Sequence, residues 1–268
     1  MLSASNRCFH LWVLSHSIMP WDFILIFAAL AVFVPWRSSV RIRQLLARPS
    51  ISARDRIFLY LSTIVFQWVA ASVALWRSIE RGLSRQNLGL VCGNTGRIIL
   101  VALGVTSLLS LLQWMGFRRL RRQPVPQSSR LRQILIKLMP EQRADSLVFI
   151  FLVATVSICE EFLYRGFAFA AVFRAGGGSI FLAMICSAAL FSLAHSYQGV
   201  QGLLNTFFLG LLFAACRTWT SSLLPPVAAH FVVDLMAGLV VPRAMRPDSA
   251  SEQVRRSHSN LLDMLILT

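Results

Sequence analysis

SICEEFLYRG, residues 157–166, lies inside a long apolar run, yet it carries two adjacent carboxylates, Glu160 and Glu161, and a guanidinium, Arg165. The fold turns on what surrounds it. The run extends over 146–173, long enough as a helix to cross about 30 Å of hydrocarbon, which takes roughly 20 residues. Of the 268 residues, 56% are hydrophobic and only 14% are charged, where a soluble domain carries nearer a quarter. The decapeptide is therefore read as membrane-embedded. The expected fold is all-α, a polytopic transmembrane helical bundle.

Working outward, the pattern predicts about seven spans, at 12–36 (interrupted near Pro20), 57–76, 98–117, 146–173, 179–195, 202–216 and 223–241. The fifth and sixth are short enough to suggest tilting or re-entry. Trp12, Trp36, Trp76 and Trp114 sit near the ends of these runs, as interfacial anchors do. Ala29-Leu30-Ala31 loosely resembles a signal-peptidase site, but the apolar run continues through it to Trp36. An uncleaved first span is expected.

Four regions follow: an N-terminal membrane region of three spans (1–117), a basic linker with an amphipathic helix (118–145), a membrane core (146–241) and a polar tail (242–268). In the linker, Arg118, Arg119, Arg121 and Arg122 precede Pro124 and Pro126. Leu131, Ile134, Leu135 and Leu138 then recur at helical spacing, interleaved with Arg130, Arg132 and Lys137. That pattern predicts an interfacial helix in the headgroup plane.

The formal charge is +15, and Lys137 is the one lysine. The basic residues fall between the apolar runs, 18 on one set of alternating loops against 7 on the other. This asymmetry predicts an outside N-terminus and a cytoplasmic C-terminus, with the arginine-rich loops as partners for anionic lipids rather than nucleic acid. Arginine in place of lysine points to a GC-rich bacterial genome, and the expected location is a bacterial cytoplasmic (inner) membrane. The five cysteines are scattered and give no disulfide framework or zinc ribbon.

The spans at 57–76, 98–117 and 202–216 hold no Asp, Glu, Lys, Arg or His. The core holds six such residues in three runs: Glu160, Glu161 and Arg165, then His195, then His230 and Asp234. A charged side chain at membrane depth costs about 2.5–3.5 kcal/mol on insertion scales and ordinarily marks function. Glu161 and Arg165, four apart, can pair directly; Glu160 is rotated by about 100° and needs a partner from another helix. His230 and Asp234 share the same spacing. Phe191 lies one turn before His195, where its ring can close the pocket beneath the imidazole. The plain alternative is that these groups are interhelical glue. Glue, however, needs neither two imidazoles nor a spare carboxylate, which together supply a base and proton carriers.

Glu160-Glu161-x-x-x-Arg165, Phe191-x-x-x-His195 and His230-x-x-x-Asp234 resemble the three successive motifs of the CPBP intramembrane proteases. That family includes type II CAAX prenyl endopeptidases and bacteriocin-processing or self-immunity (Abi-like) proteins. The resemblance covers about 146–241. It implies hydrolysis of a peptide bond in a membrane-embedded substrate, with Glu160 as the catalytic glutamate. His195 would help it activate water and shuttle a proton to the leaving amine. His230 and Asp234 would steady the oxyanion or complete a metal site, and Glu161 with Arg165 would shape the pocket. Members often have asparagine where this chain has Asp234; an ionised carboxylate cannot donate to an oxyanion, so Asp234 either is protonated, orients His230 or ligates a cation. If zinc is used, as family habit suggests, the implied ligands are Glu160, His195 and His230, although no H-E-x-x-H is present. Gly176-Gly177-Gly178 reads as a turn or hinge. Two other readings remain open: a non-catalytic scaffold or immunity factor of the same fold, and a proton-coupled transporter. The transporter reading lacks detectable repeated halves.

Overall fold

The computed structural model describes residues 19–122 and 130–245. The tail beyond 245, the residues before Met19 and the proline-containing stretch of the linker lie outside them, so the predictions that fall there have no structural counterpart. Eight helices follow in order among the described residues: α1 (Trp21–Ala47), α2 (Ala53–Glu80), α3 (Thr95–Arg122), α4 (Arg130–Leu138), α5 (Arg143–Ala175), α6 (Ile180–Ala194), α7 (Gly199–Thr220) and α8 (Leu224–Met245). Five are long and apolar enough to cross a membrane, and Ile180–Ala194 (α6) and Leu224–Leu239 (within α8) are shorter apolar stretches. The molecule is an integral membrane helical bundle.

α5 is its axis. Residues 161–172 are buried without a break on every side, because α2, α6 and α7 pack around them and Phe23 and Phe27 of α1 meet Phe167, while α8 lies against the earlier part of α5 and α3 outside against α8. A helix apolar on all faces is buried on all faces. Within it, Phe162–Ala168 forms a π-helical segment, and α1 carries another at Ala29–Phe33. The second has an evident cause: Pro35 cannot donate to the carbonyl one turn back, and the widened turn precedes it. The turn from α5 to α6 is tight, with Gly177 and Gly178 at φ +64° and +85°. These are left-handed conformations that glycine adopts without strain.

Three expectations need correction. α1 does not stop near Trp36; it continues to Ala47 and carries Arg37, Arg41 and Arg43 on the helix instead of in a loop. Hydropathy ends there, but no glycine or proline breaks the helix until Arg48 turns extended. The sixth span is likewise not short, since α7 has 22 residues. Finally, several arginines read as orientation signals are internal ties. Arg56 is 3% exposed and pairs with Asp145 (3.0 Å) and Glu141 (2.9 Å), fastening the start of α5 to α2. Arg77 (2.6 Å) and Arg81 (3.1 Å) meet buried Asp22 of α1, an acid the sequence reading passed over.

α4 docks on the end of α1. Ile134 packs against Ile42 and Leu45, and the Lys137 ammonium donates to the carbonyls of Leu45, Leu46 and Arg48. A cation on the last carbonyls of a helix satisfies orphan acceptors and complements the dipole. Tyr60 of α2 donates to the Leu138 carbonyl from beneath.

Candidate active site

α1, α2, α4, α5, the α6–α7 turn and α8 enclose a cavity of about 460 Å³ whose polar lining includes Glu160, Gln67, His195 and Asp234. α5 projects Glu160 into it. Its Oε1 accepts from Gln67 Nε2 at 2.8 Å, while Oε2 is buried with no protein partner. The partner that helix geometry demanded is thus supplied by α2, from a neutral residue that no sequence pattern singles out. Polar uncharged residues are common enough in membrane helices that Gln67 alone carried no signal.

His195 caps the end of α6, where Nδ1 lies 2.9 Å from the Phe191 carbonyl. A carbonyl oxygen only accepts, so Nδ1 carries the hydrogen. In the neutral ring Nε2 then keeps its lone pair. The Phe191 ring, 4.6 Å from the imidazole centroid, forms the floor beneath it.

Glu161, one residue on and rotated by about 100°, faces away from the cavity into a network of its own. Its Oε1 accepts from Arg165 (2.9 Å) and from His230 Nδ1 (2.8 Å). His230 Nε2 is 3.4 Å from Asp234 Oδ2. Glu161 and Arg165 are fully buried, whereas the Asp234 side chain is 40% exposed. The Arg165 guanidinium lies 4.1 Å above the Phe191 ring and 5.4 Å from that of Phe213. Gly210 of α7 makes room for it, since a Cβ there would sit 3.2 Å from Arg165 Nη2 and 3.0 Å from Ala188. One continuous set of contacts therefore runs from Asp234 through His230, Glu161 and Arg165 to Phe191, the floor of His195.

The six motif residues thus divide in two. Glu160, His195 and Asp234 line the cavity, and Glu161 and Arg165 stand behind its wall. His230 lies between the groups; both its ring nitrogens face carboxylates, and it is not among the lining residues. The set Glu160, His195 and His230 does not fit a metal in this arrangement, because His230 has no free nitrogen. Among the described residues, no group of three His, Cys, Asp or Glu side chains is placed to hold a metal ion.

Residues 142–236 match a family model described as type II CAAX prenyl endopeptidase Rce1-like. No curated protein and no solved structure matches the chain. The match begins at the N-cap of α5, ends just past Asp234 and leaves α1 to α4 outside. Its span takes in all three motifs, and this segment, from the start of α5 into α8, is similar to the CAAX-type protease family to which those motifs were likened.

Proposed function

We propose that this chain is an intramembrane endopeptidase that cleaves a membrane-associated peptide with a water held between Glu160 and His195. The observation that carries this reading is the pairing of free acceptors in one cavity, Glu160 Oε2 and His195 Nε2. Water has two hydrogens. With one on each acceptor, an oxygen lone pair is left for the carbonyl carbon of the substrate. Glu160 takes the first proton as the C–O bond forms. It returns that proton to the amide nitrogen as the C–N bond breaks, giving an acid and an amine.

Gln67 restricts Glu160 to this work by occupying its other oxygen. For the oxyanion, the reading favours Tyr197, which also lines the cavity beside His195. Gln198 donates to the Tyr197 oxygen at 3.3 Å, leaving the phenolic hydrogen to point elsewhere. His230 acts as a positioning residue: Asp234 orients it, and it transmits that order to Glu161 and so to Arg165 and Phe191. Val34, Phe149 and Leu152 supply apolar wall beside these groups, and a low-dielectric wall strengthens the polar interactions next to it.

The test compares membrane peptides from cells carrying the wild type with those carrying Glu160→Gln, at matched levels of folded protein. A peptidase yields peptides that accumulate with the wild type and are absent with the variant. Identical profiles would overturn the reading in favour of a scaffold.

A further inference from the structure

We propose that Arg37 and Arg41 form an oxyanion subsite in the same cavity, taking a carboxylate carried by the peptide substrate. The proposal rests on the peptidase reading and adds to it a specificity element from outside the segment that the family model matches.

The two arginines stand one helical turn apart on α1, so their like charges share a face, and both line the 460 Å³ cavity. Both are half-buried, whereas Arg43, two residues on, is exposed. Their supports are neutral. Arg41 donates through Nη1 to Thr63 Oγ1 and through Nη2 to Ser62 Oγ, each at 3.1 Å. Those hydroxyls in turn donate to the Leu59 carbonyl at 2.9 Å. The Arg37 guanidinium lies 4.0 Å over the Phe66 ring. Both groups are thereby oriented without being neutralised.

Elsewhere the protein treats interior arginine differently. Arg56, Arg77, Arg81 and Arg165 each meet a carboxylate, and Arg217 meets the Asn87 carbonyl. Among the described residues, no carboxylate pairs with Arg37 or Arg41. The acids of their own cavity are engaged elsewhere, Glu160 with Gln67 and Asp234 facing His230. Two adjacent cations, partly desolvated and lacking a counter-charge, favour an incoming anion. The planar guanidinium fork matches a carboxylate in two-point fashion.

Position makes the subsite part of substrate recognition. Thr63, under Arg41, and Gln67, which holds Glu160, are four residues apart on α2, about 6 Å of helix rise. An extended peptide advances about 3.3–3.6 Å per residue. A carboxylate on the guanidiniums therefore falls within a few residues of the bond offered to Glu160. It can come from a chain terminus or from an Asp or Glu side chain.

The test uses short lipid-anchored peptides in three forms: a free C-terminal carboxylate, the C-terminal amide, and the amide with one glutamate near its end. Binding is measured on Glu160→Gln protein in neutral detergent, and cleavage on the wild type. At least one acidic form should bind tenfold or more tighter than the plain amide; which one identifies the source. Adding Arg37→Gln and Arg41→Gln should bring the acidic form to the amide's level and leave the amide unchanged, which also serves as the folding control. Equal binding of all forms, no binding of any, or a preference surviving both substitutions overturns the subsite. So does a result in which the substitutions abolish only binding of phosphatidylglycerol vesicles, which would assign the pair to lipid. Preference without wild-type cleavage sinks the peptidase reading and spares the subsite; cleavage without preference does the reverse.

Discussion

Two cavities of similar size flank α5, and they have little else in common. The one holding Glu160 is about 460 Å³. The other, about 510 Å³, is lined by Ile158, Cys159 and Phe162 of the same helix, with Trp68, Ala71 and Leu75 of α2, and Leu224 and Val227 of α8. Adjacent residues on α5, Cys159 and Glu160, thus open onto different chemistries, as do Gln67 and Trp68 on α2. Consecutive helical residues point about 100° apart, so a pair of helices can wall an apolar space and a reactive one at once. Volume does not distinguish a site from a void here. What does is the presence of acceptors left open by their own protein partners.

The sharpest way to break this contrast is to swap the neighbours. Glu160→Gln, which keeps shape and removes the base, should lower cleavage by about 10²–10⁴-fold, while Cys159→Ala on the opposite face leaves the rate within a few-fold. Initial rates in proteoliposomes decide it, and comparable losses for both would erase the distinction.

Next in size is the network behind the wall. Arg165→Met leaves the Glu161 carboxylate buried without its cation, and breaking a buried pair this way costs about 3–5 kcal/mol. Thermal unfolding in detergent should show a clear drop. An unchanged transition would mean that the Glu161–His230 contact suffices alone.

Gln67→Leu tests the hold on Glu160 itself. A hydrogen bond to a charged group contributes about 1.5–3 kcal/mol, so kcat should fall roughly 10- to 100-fold with KM little altered. A change in KM alone would instead mark Gln67 as a substrate contact.

The smallest effect belongs to the apolar cavity. Ala71→Leu adds methyl groups where space already exists and should move stability by about 1 kcal/mol or less, leaving cleavage unaffected. If cleavage collapses, substrate also passes on that side of α5.

Much of the bundle was legible in the residues. Hydrophobic runs mark spans because lipid forces each backbone polar group into a helix, and a charge within such a run stands out against its cost. Glu160, His195 and Asp234 were legible for that reason, as was the tie between Glu161 and Arg165, fixed by spacing alone. Gln67 was not, since nothing in an uncharged amide announces which helix it will face. Asp22 escaped notice because its counter-charges, Arg77 and Arg81, lie more than 50 positions away. Arg37 and Arg41 were misread because hydropathy reports where lipid ends, and a helix continues until its backbone is capped or broken.

Sequence by itself determined that this chain lives in a membrane, that it folds as helices, and that Glu160, Glu161, Arg165, His195, His230 and Asp234 fall in three of its apolar runs. Those are local consequences of apolar length and i,i+4 geometry. Tertiary structure alone decided that Glu160 and Glu161 part company, one to a cavity and one to a network of its own. It also decided that His230 spends both nitrogens on carboxylates and that two arginines of α1 share the space around Glu160. Rotation about a helix axis is set by what the neighbouring helices offer, and that depends on residues far away in the chain.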